Sequence, residues 1–67
     1  MVRVNGEEQN KIAGLTISQM LEQLEYGAKR VAVEINEEII SSKAFDETII
    51  NDGDIVEVIM FVGGGSN

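Results

Sequence analysis

The spacing of apolar residues changes several times along this chain, and each change predicts an element. Val2 and Val4 alternate with Arg3 and Asn5, the two-residue period of a strand with one buried face. Asn5-Gly6 follows, and both residues tolerate the positive φ of a type I′ hairpin turn. Residues 7–12, EEQNKI, predict a polar return strand near a sheet edge, broken at Gly14. From Ile17 the period lengthens. Ile17, Met20, Leu21 and Leu24 fall at i, i+3, i+4 and i+7, one face of a helix, while Ser18, Glu22, Gln23 and Glu25 take the other. Thr16 and Gln19 have the spacing of a capping box. Gly27 predicts a left-handed cap at the helix end, and Lys29-Arg30 then complement the negative end of its dipole.

Period two returns in Val31, Val33 and Ile35, a third strand. Asn36-Glu37 predicts a turn, Ile39-Ile40 a short fourth segment, Ser41–Lys43 a loop, 48–50 a brief extended piece and Asn51–Asp54 another turn. Ile55–Val62 is β-branched and apolar on both faces, as a central strand is. One helix among these strands predicts the α+β class, a mixed sheet crossed by the helix. If the first and last strands are neighbours they run the same way, with the helix crossing between them, which is the β-grasp arrangement. In the last strand Val56, Val58 and Met60 share one face, and Ile55, Glu57, Ile59 and Phe61 the other. An unpaired carboxylate is rarely buried, so Glu57 sends its face to solvent. Val56, Val58 and Met60 are then core residues with Val4, Leu21 and Leu24. Ile59 and Phe61, with Val62 after them, become exposed apolar groups of the kind that mark a partner-binding surface.

Composition narrows the function. The 67 residues fit one domain, 1–62, followed by a flexible glycine tail, 63–67, and 43% of them are hydrophobic, enough to build a core. The absence of Cys and His predicts no disulfide and no metal site, and points to the reducing cytoplasm. A net charge of −7 argues against nucleic acid, which is bound by neutralising phosphates with Lys and Arg. No basic start precedes an apolar signal core, and the longest apolar stretch is too short to span a bilayer. The chain is therefore expected to be soluble, with no membrane partner.

Catalysis is not expected, because general acid–base and nucleophilic mechanisms need a suitably titrating or activated group. Glu7-Glu8 and Glu37-Glu38 are adjacent pairs, which point to opposite faces of a strand. Asn51-Asp52-Gly53-Asp54 lacks the ligand spacing of a calcium loop, and no helix follows Gly63-Gly64-Gly65 to bind an anion. What three glycines do offer is a thin arm of about 10 Å, able to carry a carboxylate into another protein's active site.

Four stretches, VNGEE (4–8), TISQMLEQL (16–24), VAVEINEEII (31–40) and DGDIVEVIMFVGGG (52–65), resemble the ThiS family of sulfur carriers, which share the ubiquitin-like β-grasp. The resemblance covers nearly the whole chain. It implies a protein cosubstrate rather than an enzyme, with no bound cofactor. Gly65 is the implied site of adenylate and thiocarboxylate formation, with Gly63 and Gly64 as its tail. An E1-like, ThiF-type adenylyltransferase using ATP and magnesium activates the glycine carboxylate, a cysteine desulfurase relay supplies sulfur, and a ThiG-type thiazole synthase consumes it for thiamine. A carrier for molybdopterin or cysteine synthesis, an inert interaction module and a protein modifier are the alternatives. Two departures stand out. Ser41-Ser42 replaces a proline and basic residue common in the family. Ser66-Asn67 follows Gly65, whose carboxylate is thereby locked in a peptide bond. Either a peptidase exposes Gly65, or the two residues are foreign to the natural chain, or this form carries no sulfur.

Overall fold

A computed structural model describes residues 1–27 and 29–61. Its elements are β1 (Val2–Val4), β2 (Glu7–Gln9), α1 (Ile17–Gln23), β3 (Val31–Ile35), β4 (Glu38–Ile40), a 3-10 turn (Ser42–Ala44) and β5 (Ile55–Met60). The strands form one sheet in the order β2-β1-β5-β3-β4. β1 and β5 are parallel neighbours at its centre, and the other pairings are antiparallel. This is the predicted mixed sheet with one helix.

Both tight hairpins place two successive residues at positive φ, each pair led by an asparagine. Asn5 and Gly6 sit at φ 51° and 85°, Asn36 and Glu37 at 52° and 71°. These are the two left-handed positions of a type I′ turn, whose twist matches that of the flanking strands. Thr16 caps α1 as predicted: its hydroxyl accepts from Gln19 N at 3.1 Å, and the Gln19 side chain accepts from Thr16 N at 2.9 Å. The C-terminus differs from expectation. α1 ends at Gln23 with Leu24 as its C-cap, and Glu25, not Gly27, takes the left-handed position after it at φ 69°. Tyr26 N donates to Leu21 O at 2.8 Å and Glu25 N to Glu22 O at 3.1 Å, the paired bonds of a Schellman motif. Gly27 is also left-handed, at φ 58°, two residues beyond.

The core contains Val2, Val4, Val33, Val56 and Val58 from the sheet and Ile17, Met20 and Leu21 from α1, with Leu24 half-buried against them. Ile12 and Ile50 complete it from the connections. The predicted strand 7–12 is therefore only 7–9. Ile12 leaves the ladder to turn under the sheet, and Gly14 N and Ile50 N bond to Ile50 O and Leu15 O respectively. An isolated bridge joins Thr16 to Ile49, and Ser41–Lys43 is not plain loop but the capped start of the 3-10 turn.

Met60 departs most from expectation. It is 42% exposed rather than core, and element length explains why. A seven-residue helix is about 10 Å long, whereas six strand residues span about 20 Å. β5 outruns the layer that covers it, and alternation no longer decides burial at its end.

Candidate functional site

The end of β5 is held from one side and open on the other. β3 follows it to Met60, opposite Val31, and Phe61 N donates to Arg30 O at 3.0 Å, one bond further. β1 stops at Val4, opposite Val56. Past that point the Asn5 side chain substitutes for backbone: its Oδ1 accepts from Val58 N at 2.8 Å. At the start of β5, Asn36 N donates to Ile55 O at 2.8 Å while Asn36 Oδ1 accepts from Ile55 N at 3.0 Å. Asn36 Nδ2 also donates to Asp54 Oδ1 at 3.0 Å. Turn asparagines thus brace both flanks of the strand that leads to the tail.

Three consecutive apolar side chains occupy this end: Ile59, 46% exposed, Met60, and Phe61, 58% exposed. Exposure of Ile59 and Phe61 agrees with the reading of Glu57 as a solvent marker, since Glu57 is exposed and Val56 and Val58 are buried. On the helix-free face Ile59 lies opposite Ala32, and Glu57 lies opposite Glu34, which lies opposite Ile39. Phe61 also borders a cleft of about 460 Å³ on the helix side, between α1, the 3-10 turn and the start of β3. Val62, Gly63, Gly64 and Gly65, the rest of the predicted site, lie outside the described residues.

Lys29 and Arg30 lie beyond the last turn of α1, which holds no basic residue, so they do not serve its dipole as expected but line that same cleft. The signal was their place immediately before β3, the strand that pairs with the end of β5. At the opposite end of β5, the Met1 ammonium pairs with the Asp52 carboxylate. That hydrogen bond holds the ammonium above its usual pKa, opposed by desolvation and supported by the negative charges of Asp52 and Glu8. Among the described residues no cluster of His, Cys, Asp or Glu could hold a metal ion, and no helix is long and apolar enough to cross a membrane.

Known proteins share this arrangement. The model of the ThiS family matches residues 2–65. A thiazole synthase of Paramagnetospirillum magneticum is 41% identical over 64 residues, 96% of this chain, but the chain spans only 20% of that protein. The sulfur carrier protein ThiS of Bacillus subtilis is 37% identical, covering 97% of this chain and 100% of its own. A crystal structure of the thiamine biosynthesis protein ThiS from Geobacter metallireducens superposes with a TM-score of 0.77 at 37% identity, covering 96% of this chain and 97% of the other.

Proposed function

The chain belongs to the ThiS family, and from that premise we propose that it serves thiamine biosynthesis as a sulfur carrier whose working group is the Gly65 carboxylate. The observation that carries this reading is the extent of the family match, which runs through Gly65 and leaves out Ser66-Asn67. The fold favours it as well. β5 delivers the chain toward Gly65 from a rim of exposed Ile59, Met60 and Phe61, surface that a partner protein would cover.

Gly65 is followed by Ser66, so hydrolysis of that peptide bond comes first. A carboxylate oxygen then attacks the α-phosphorus of ATP in an E1-like adenylyltransferase, and pyrophosphate leaves. The resulting acyl adenylate has the leaving group that a carboxylate lacks. The terminal sulfur of a relay cysteine persulfide attacks the carbonyl carbon and AMP departs, leaving an acyl disulfide. A second thiol of the relay attacks the relay-side sulfur, forms a disulfide with it and releases the thiocarboxylate. Thiazole synthase is its consumer, a destination favoured by the thiazole synthase relative that contains a stretch similar to this chain.

This protein's part is presentation. It contains no Cys or His to act as sulfur nucleophile or neutral-pH base, and so behaves as a cosubstrate. ATP–pyrophosphate exchange with the adenylyltransferase tests the reading. A chain ending at Gly65 supports exchange and the 67-residue chain does not; equal exchange by an unprocessed 67-residue chain would overturn it.

A further inference from the structure

Two of the chain's five basic residues, Lys29 and Arg30, line the cleft beside Phe61. Leu21, Val31, Phe45 and Phe61 give the cleft apolar walls. Arg3 is paired with Glu8 at 2.8 Å, but among the described residues neither Lys29 nor Arg30 has a carboxylate within salt-bridge distance. Ser18, which also lines the cleft, donates its hydroxyl to the Asp46 carboxylate. A protein of net charge −7 therefore keeps two exposed cations, with no salt-bridge partner among the described residues, beside the apolar walls of a cleft that borders Phe61.

Such a surface selects a ligand of complementary character, negative toward the cations and apolar toward the walls. We propose that the cleft receives an acidic segment of the protein that adenylates Gly65, placing a carboxylate against Lys29 and Arg30 and an apolar side chain against Phe45 and Phe61. This rests on the reading of Gly65 as the working group. Gly65 lies four residues past Phe61, about 13–14 Å of extended chain. An enzyme that encloses Gly65 thus has its own surface within reach of the cleft. Charge pairs at the edge of an interface act mainly on encounter rate and register, which suits a carrier that must bind, react and leave.

The test is a calorimetric titration of the purified adenylyltransferase with the 67-residue chain and with two variants, Arg30→Glu and Lys11→Glu. Each variant changes the net charge equally, so general steering affects both alike. Thermal melts confirm that both stay folded. Arg30→Glu weakens binding by about tenfold, a loss that shrinks at high salt, whereas Lys11→Glu weakens it by less than about twofold. Equal effects from the two variants, or no binding by the unaltered chain, would overturn the proposal. So would two other results. One is saturable perturbation of the Lys29 and Arg30 amides by inorganic phosphate with enzyme affinity unchanged in Arg30→Glu, which assigns the cleft to a small anion. The other is self-association abolished by Arg30→Glu, which assigns it to a second copy of the chain. Failure of the Gly65 reading has a different signature: Arg30-dependent binding persists while a chain ending at Gly65 gives no pyrophosphate exchange.

Discussion

Asn5 Oδ1 accepts a hydrogen bond from the backbone N–H of Val58 across 53 residues of sequence, at 2.8 Å. The same residue holds a left-handed turn conformation, φ 51°, and donates its backbone N–H to Val56 O at 2.9 Å. One side chain therefore forms the first hairpin and extends the β1–β5 ladder past the point where β1 ends. It ties the course of β5 to the first hairpin as far as Val58.

Asn5→Ala removes both contributions, disfavouring the turn and leaving the Val58 N–H without its partner. The expected loss is about 1–3 kcal/mol, read from chemical denaturation. Asn5→Asp keeps an acceptor and tolerates the same φ, and is expected to lose less than half as much. Equal losses would show that the hydrogen bond contributes nothing.

Glu25 occupies the left-handed cap position of α1, with no packing observed to require its side chain. Glu25→Gly removes the steric cost of φ 69°, an effect of about 0.5–1 kcal/mol after glycine's own entropic cost in the unfolded chain. The melting temperature is expected to rise by several degrees, roughly 4 °C or more for each kcal/mol in a domain of this size. A fall would mean that Glu25 makes a compensating contact in solution.

Much of this architecture was legible because it is local. Asn5-Gly6, the Thr16–Gln19 box and the alternation through Val33 and Val58 each state their structure within a few residues. The misses are non-local. Ile12 and Ile50 sit in connections without a period, and only the closed fold shows that they turn inward. Met60 obeys the alternation that buries Val58, yet whether a layer lies above it depends on the length of α1. That Arg30 O meets Phe61 N just past the end of β5 depends on β3–β5 register, which neither segment announces alone.

Glu34 and Glu57 stand directly opposite each other in the β3–β5 register. Like charges so placed destabilise a sheet. Glu57→Lys is accordingly expected to stabilise the domain by about 0.5–1 kcal/mol, with the gain fading at high salt. Destabilisation measured by urea melts would show that another contact of Glu57 outweighs the repulsion.

Val58 and Phe61, three residues apart, are expected to respond in opposite ways. Val58 is buried and 7% exposed, so Val58→Ala leaves a core cavity and costs about 2 kcal/mol of stability. Phe61 is exposed, so Phe61→Ala is expected to leave the melt nearly unchanged and to weaken adenylyltransferase or thiazole synthase binding by about 1–3 kcal/mol. If Phe61→Ala instead destabilises as much as Val58→Ala and leaves binding intact, Phe61 is a structural residue.

The sulfur-carrier account is tested most directly by intact mass. A chain ending at Gly65 is incubated with the adenylyltransferase, ATP, magnesium and a sulfur donor, beside the 67-residue chain under the same conditions. The account predicts that the shorter chain gains the mass of one oxygen-for-sulfur exchange, localised to Gly65 by fragmentation, while the longer chain keeps its mass. No exchange on the shorter chain with enzymes active on their own carrier, or exchange at any other residue, would contradict it.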